Sequence, residues 1–311
     1  MSGWLPSAPC TPRACIDSKG SVTAVPRAVL RLVTVLVVVA AGAALTPIGG
    51  RIPVRAVRWW CRTIVRSAGI RLRITGTTTP TGGLLLVANH ISWLDIPLLA
   101  AVRPARMLAK AEIRHWPVAG TLTAGSGALF IDRDRLRALP ETVASIAGAL
   151  RAGGAVAVFP EGSTWCGRAQ GHFRRAVFQA ALDAGVPVQP VGLHYTTDGT
   201  ASTAPAFVGS DSLLTSVWRV VSTRGLVAEV EVGEAIAPGS HPDRRSLAHA
   251  AQAGVTALPQ HQDHCTSVAQ TPVKIRRTAR RRPVSVASMR IIRHTGTTAT
   301  ARATSSPAAD V

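Results

Sequence analysis

The run Ala88-Asn89-His90-Ile91-Ser92-Trp93-Leu94-Asp95 places an imidazole and a carboxylate in an H-x4-D spacing, directly after the apolar stretch Leu84-Leu85-Leu86-Val87. A carboxylate bound to one imidazole nitrogen fixes the tautomer and leaves the other nitrogen to act as a general base. Ends of buried strands are where α/β folds display such groups. The spacing carries a geometric condition, because on a regular helix positions five apart lie about 140° apart around the axis. The pair meets only if His90 lies in a turn before a helix and Asp95 in that helix's first turns. A helix-capping Asn89 with a surface His and Asp is the alternative that spacing alone allows.

Three further apolar runs end in turn-forming or polar residues. Ala155-Val156-Ala157-Val158-Phe159 runs into Pro160-Glu161-Gly162-Ser163-Thr164. Gly125-Ser126-Gly127-Ala128-Leu129-Phe130-Ile131 ends in Asp132-Arg133, and Gly185-Val186-Pro187-Val188-Gln189-Pro190-Val191-Gly192 follows. Each reads as a strand delivering a turn. Four strand ends in order, three with polar groups, predict one site assembled from several loops. The sequence has no H-E-x-x-H or comparable ligand cluster, so no metal is expected.

Together these segments resemble the motifs of the PlsC-type glycerolipid acyltransferases, of which lysophosphatidic acid acyltransferase is the best-known member. N-H-x4-D is matched by Asn89, His90 and Asp95. G-x-[IL]-F-I-D-R is matched by Gly127, Leu129, Phe130, Ile131, Asp132 and Arg133. F-P-E-G-[ST]-R is matched through Phe159, Pro160, Glu161, Gly162 and Ser163, and V-P-[IV]-x-P-V from Val186 to Val191. The resemblance covers residues 55 to 237. It implies transfer of a fatty acyl group from acyl-CoA or acyl-carrier protein to the free hydroxyl of a lysolipid, foremost 1-acyl-sn-glycerol 3-phosphate. His90 would be the general base and Asp95 its orienting partner, with no acyl-enzyme and no cofactor beyond the donor substrate. On the substrate side the resemblance nominates Lys110 (in Ala109-Lys110-Ala111-Glu112), Arg133, Glu161, Gly162, Ser163 and Thr164. Backbone N–H groups of the Glu161-Gly162-Ser163 turn are candidate oxyanion donors.

One departure bears on the acceptor. Thr164 stands where the family usually has Arg, a residue thought to help hold the acceptor's phosphate. Some relatives that acylate other lysolipids, lyso-ornithine lipid among them, also lack that Arg, so lyso-ornithine lipid is the alternative acceptor. Arg168, Arg174 or Arg175 would be the replacement charge for a phosphate. A non-catalytic basic protein binding membrane or nucleic acid is a further alternative, and the intact His90–Asp95 pair argues against it.

The elements that must position these residues alternate. Strands are expected at 71–75, 84–88, 106–109, 128–131, 155–159, 188–193 and 227–232, and helices at 93–102, 114–124, 136–151, 171–184 and 242–256. This predicts an α/β fold, a largely parallel mixed sheet flanked by helices, with an N-terminal membrane-associated helical segment. Residues 1–25, rich in Pro, Ser, Thr and Ala, read as disordered, 26–69 as a membrane-anchoring helical segment, 70–257 as the acyltransferase domain, and 258–311 as a basic disordered tail. Leu32 to Gly50 carries no charge and nears the ~20 residues that span a bilayer. A signal peptide, with Ala40-Ala41-Gly42-Ala43-Ala44 as its cleavage region, and a buried soluble helix are the rival readings. Residues 51–69 mix Arg51, Arg55, Arg58, Arg62 and Arg66 with Val54, Val57, Trp60, Ile64 and Val65, as an interfacial helix would. The heavier positive flank predicts a cell-membrane protein with its catalytic domain on the cytoplasmic side.

A net charge of +19 suits an anionic membrane, an anionic donor or nucleic acid. Because 47% of residues are hydrophobic, the membrane is favoured and no nucleic acid is expected. Five cysteines (Cys10, Cys15, Cys61, Cys166 and Cys265) show no CxxC spacing, so neither a disulfide framework nor a zinc site is expected. Cys166 lies close to the third motif, but nothing in its neighbourhood marks an activated thiol, and a nucleophilic role is not favoured.

Overall fold

The computed structural model describes residues 8–17, 25–45, 52–79, 81–116, 120–121, 123, 125–132 and 136–257. Strands β1 (Arg71–Thr75), β2 (Leu84–Ala88), β3 (Arg106–Lys110), β4 (Leu129–Ile131), β5 (Ala155–Val158), β6 (Val188–Thr197), β7 (Thr200–Ala201) and β8 (Leu226–Val232) form one sheet. Its order is β1-β8-β6-β2-β5-β3-β4, with β7 paired to β6. All these neighbours run parallel except the β6–β8 and β6–β7 pairs. The largely parallel mixed sheet is as the alternating pattern predicts.

The helices are α1 (Pro12–Cys15), α2 (Val25–Leu45), α3 (Val54–Ser67), α4 (Asp95–Val102), α5 (Leu139–Arg151), α6 (Ala176–Ala184), α7 (Leu213–Ser222) and α8 (Arg244–Ala257). Strand β2 shows why both faces of the sheet need them. All five of its residues are buried, and successive side chains point to opposite faces. Leu84, Leu86 and Ala88 enter a layer with Val65 of α3, Leu98 and Leu99 of α4 and Val220 of α7. Leu85 and Val87 enter another with Ile146 and Leu150 of α5, Phe178 of α6 and Leu247 of α8. An uninterrupted apolar strand of this kind has no solvated side.

Four local expectations change. Residues 8–17, expected to be disordered, carry α1 and pack on the domain: Asp17 N–H donates to Thr203 Oγ1 (3.0 Å). Helix α6 begins at Ala176 rather than near 171, because the preceding N–H groups are spent elsewhere. Gly171 N donates to Glu161 Oε1 (3.0 Å), Phe173 N to Gln252 Oε1 (3.1 Å) and Arg174 N to the Pro160 carbonyl (2.8 Å). Helix α7 was not expected, although Leu213, Leu214, Val217, Trp218 and Val221 carry a helical period and Ser212 caps it, accepting from Thr215 N (3.1 Å). Of the helix expected over 114–124, the first residues belong instead to a 3-10 turn, Ala111–His115, that stops before Pro117; Gly120, Thr121, Thr123 and Gly125 are helical, and 117–119, 122 and 124 lie outside the described residues. The basic tail 258–311 also lies outside them.

Helix α2 is long and apolar enough to cross a membrane by length and composition. One face lies on the domain, where Ala28 and Val35 are buried. Between them the Arg31 guanidinium donates to the carbonyls of Val221 (3.0 Å) and Thr223 (2.9 Å) at the end of α7. Further along, Trp60 Nε1 of α3 donates to the Val38 carbonyl (2.9 Å). The opposite face exposes Leu30, Val33, Leu36 and Val37.

Candidate active site

Parallel pairing of β2, β5, β3 and β4 brings the residues that follow each strand to one edge of the sheet. His90 lies in the turn after β2 and Asp95 is the first residue of α4, which meets the condition set by their spacing. His90 Nδ1 and Asp95 Oδ2 are 2.8 Å apart. Asp95 is fully buried and is held on both oxygens. Oδ2 also accepts from Ile91 N (2.6 Å) and Ser92 N (2.8 Å), and Oδ1 accepts from Tyr195 Oη (2.6 Å). These donors fix the position of the carboxylate. Ser92 serves the helix start as a hydrogen bonder, its Oγ accepting from Leu94 N (3.3 Å).

The His90 ring lies flat on Phe159, with centroids 3.9 Å apart and an interplanar angle of 9°. Asp95 takes one nitrogen and Phe159 one face, so Nε2 is the nitrogen left for another molecule, on a side chain that keeps 21% exposure. The backbone of His90 is clamped at both ends by the loop after β5. Its N–H donates to Glu161 Oε2 (2.7 Å), and its carbonyl accepts from Trp165 N (2.7 Å). Asn89 does not cap a helix. Its amide makes a reciprocal pair with the backbone of Leu193 (2.9 and 2.8 Å), tying the end of β2 to β6.

Glu161, expected on the acceptor side, is turned inward instead. It is buried, and its two oxygens are occupied by the backbone N–H groups of His90 and Gly171. Burial pushes its carboxyl up to about 8. The two amide bonds oppose that shift, and the neighbouring charge of Asp95 adds to it. Gly162 is also a turn residue rather than an oxyanion donor: its N–H donates to the Phe159 carbonyl (3.1 Å), and its φ of +75° is one that side-chain-bearing residues rarely adopt. Ser163 is half-buried in the same turn. Thr164 is half-buried too, and its hydroxyl donates to the Phe207 carbonyl. Phe207 N in turn donates to the Ile91 carbonyl (2.9 Å), so the Phe207 loop braces both catalytic-edge turns.

Lys110 ends β3 on the same edge and is exposed. It sits two strands from β2, roughly 10 Å away at ordinary strand spacing. Arg133 lies outside the described residues. Arg168, a candidate replacement cation, is paired with Asp17. Tyr195 was missed by sequence reading. It is the chain's only tyrosine, and it follows the fourth motif on β6, whose Val191 pairs with Ala88. That register carries β6 past the end of β2 and sets the phenol beside Asp95.

A family model described as Acyltransferase matches residues 71–194. The chain is also 37% identical over 216 residues to a lyso-ornithine lipid O-acyltransferase of Pseudomonas aeruginosa, covering 69% of this chain and 80% of that protein. The chain belongs to the PlsC-type acyltransferase family. This lysolipid O-acyltransferase is also 38% identical over 149 residues to a 1-acyl-sn-glycerol-3-phosphate acyltransferase of Neisseria gonorrhoeae, covering 48% of the chain and 58% of the relative. Its fold is shared with the crystal structure of the 1-acyl-sn-glycerophosphate acyltransferase PlsC from Thermotoga maritima. The TM-score there is 0.57 at 18% identity, over 75% of this chain and 93% of the other.

Proposed function

We propose that this acyltransferase moves a fatty acyl group from a thioester donor, acyl-CoA or acyl-carrier protein, to a lysolipid hydroxyl, with His90 as general base. The observation that carries this reading is the buried Asp95 holding His90 Nδ1 at 2.8 Å while the ring stays partly exposed. Neutral His90 donates Nδ1–H to Asp95, so Nε2 has a lone pair for the acceptor's proton. As the acceptor oxygen attacks the thioester carbonyl, Nε2 takes that proton and Asp95 stabilises the imidazolium. Collapse of the tetrahedral intermediate breaks the C–S bond, and the imidazolium returns the proton to the leaving thiolate. The products are an ester and a free thiol, and no residue of the enzyme is acylated.

For the acceptor, two observations favour a phosphate-free lysolipid, and lyso-ornithine lipid in particular, over 1-acyl-sn-glycerol 3-phosphate. Thr164 is uncharged and its hydroxyl is already engaged by Phe207, while Arg168 is paired with Asp17 and Arg174 and Arg175 are exposed. The relative with the longer match is named for lyso-ornithine lipid. The deciding experiment is purified full-length protein with radiolabelled acyl-CoA and a panel of both lysolipids. Preferred acylation of lyso-ornithine lipid is expected. Preference for lysophosphatidate would overturn the acceptor assignment, and no transfer to either would overturn the donor–acceptor scheme.

For the membrane, the reading is a monotopic anchor. Contacts from Ala28 to Gly42 hold α2 along the domain for about 21 Å. Its exposed Leu30, Val33, Leu36 and Val37, together with Trp59 of α3, form the apolar surface that would enter the lipid.

A further inference from the structure

Three cysteines that lie far apart in the chain meet in the fold. The sulfurs of Cys10, Cys15 and Cys166 all fall within 4.8 Å of one another. Cys10 and Cys166 are buried, Cys15 is half-buried, and all three are free thiols.

The backbone around them is built to hold this arrangement. Thr11 caps the single turn of α1, accepting from Ala14 N (3.3 Å), and so brings Cys10 before the turn and Cys15 at its end to one side. Asp17 then fastens the segment to two loops, pairing with Arg168 and accepting from Thr203 Oγ1 (3.3 Å). At Gly209 an added Cβ would lie 3.1 Å from the Cys10 carbonyl, so that loop is in close contact as well. A four-residue helix has no stability of its own. Beyond a few hydrogen bonds, the segment is held by the packing of four small or medium side chains, Ala8, Cys10, Cys15 and Ile16.

Thiolates in a threefold cluster are the donor set of soft, thiophilic cations. Zinc binds sulfur at about 2.3 Å, which places tetrahedrally bound sulfurs about 3.8 Å apart. Sulfurs already within 4.8 Å reach that spacing by side-chain movement of about 1 Å or less. Among the described residues the cluster consists of these three cysteines, and the carboxylate of Asp17 is engaged by Arg168 and Thr203. Three protein ligands leave the fourth position of zinc for water.

We propose that Cys10, Cys15 and Cys166 form a binding site for a thiophilic divalent cation, with zinc as its probe, which fastens the N-terminal segment to the active-site loop. The loop in question is the one that clamps the general-base candidate. Cys166 directly follows Trp165, whose N–H holds the His90 carbonyl, and Thr164, which braces the Phe207 loop. Metal binding is therefore placed where it sets the rigidity of the His90 turn.

The test uses full-length protein purified under reducing conditions, loaded with zinc and dialysed. Elemental analysis should find about one zinc per chain, as for a single metal site. Cobalt in its place should give the near-ultraviolet thiolate-to-metal charge-transfer band and the visible bands of a tetrahedral site. Cys10→Ala, Cys15→Ala and Cys166→Ala should each bring bound metal close to zero, while Cys61→Ala should retain it. Circular dichroism checks that the variants fold, and the cobalt spectrum of the unmutated protein decides the matter even if one does not. Three results would each overturn the proposal: an unmutated protein without stoichiometric zinc, a cobalt spectrum without thiolate charge transfer, or folded single variants that keep their metal. Peptide mapping that finds two of these sulfurs joined as a disulfide in the freshly isolated protein would also overturn it, and would assign the cluster to thiol redox chemistry.

Discussion

His90 offers a single nitrogen to chemistry because every other contact of that residue is taken. Asp95 holds Nδ1, Phe159 covers a ring face, and Glu161 and Trp165 hold its backbone N–H and carbonyl. Such restraint makes the role of each partner separable by mutation. His90→Ala should lower kcat by on the order of 10²–10⁴-fold, the usual worth of general-base help. Far-ultraviolet circular dichroism should be unchanged, and a folded variant with near-normal turnover would refute the base assignment. Asp95→Asn should be comparably severe: its amide oxygen in the place of Oδ2 can still accept from Ile91, Ser92 and His90, but the side chain carries no charge to stabilise the imidazolium. Tyr195→Phe is a subtler probe. It removes the donor to Asp95 Oδ1 and leaves a buried acceptor short of a partner, at about 1–3 kcal/mol of stability. Because Tyr195 acts through Asp95, kcat should drop while KM for the acceptor stays near its normal value. A change confined to KM would mean that the phenol contacts substrate rather than positioning the carboxylate.

The loop from Phe159 to Arg168 acts as a brace for the turn that follows β2, and Glu161 is its central strut. A glutamine there can accept with only one of its two terminal atoms, so one of the N–H groups of His90 and Gly171 would face another donor. Glu161→Gln should therefore impair activity through disordering of the His90 turn, visible as faster amide hydrogen exchange at residues 90–92. Normal exchange in an inactive Gln variant would point to a chemical role for the carboxyl instead. The same residue gives the fold a pH dependence. An ordinary glutamate in the unfolded chain ionises near 4.5, whereas burial holds the Glu161 carboxyl protonated up to about 8. Between those values the folded state keeps a proton that the unfolded chain has lost, so its contribution to stability is full below about 4.5 and declines as pH rises through 8. Urea midpoints should fall between pH 6 and pH 9 in the unmutated protein and fall less in Glu161→Gln. Parallel pH curves for the two proteins would show that other groups set the dependence. At the N-terminus, α2 gives a separate test. Polar substitution of the exposed Leu30, Val33, Leu36 and Val37 leaves the contacts of Ala28, Arg31 and Val35 intact, so it should release folded protein from the membrane pellet to the soluble fraction. Undiminished pelleting of that variant would rule out this face as the anchor.

Across the whole molecule, what sequence could reveal divides by range. The alternation of strands and helices, and the turn that lets His90 meet Asp95, are local patterns and were legible. Interactions that join distant segments were not. Nothing in the spacing of Glu161 shows that it points inward to two amides, because its position after a strand fits an exposed and a buried carboxyl equally well. The same holds for Tyr195, which is 100 residues from Asp95 and meets it only through the β2–β6 register. Cys10 and Cys166 meet only because an apparently featureless N-terminal segment folds back on the domain. The proposed acceptor choice is of this long-range kind, since the loop after β5 and the Phe207 loop after β7 meet at Thr164. Thr164 donates to Phe207, so replacing it changes a brace and a charge at once. Thr164→Val removes the hydroxyl without adding charge and isolates the first effect. Thr164→Arg adds a planar cation suited to phosphate oxygens. The quantity to measure is kcat/KM for lysophosphatidate divided by that for lyso-ornithine lipid. It should stay near its starting value in the Val variant and rise on the order of tenfold in the Arg variant, equivalent to one charge-assisted contact of about 1.4 kcal/mol. If both variants lose activity toward the two acceptors in equal proportion, this position braces the loop without facing the head group, and the uncharged Thr164 ceases to favour a phosphate-free acceptor.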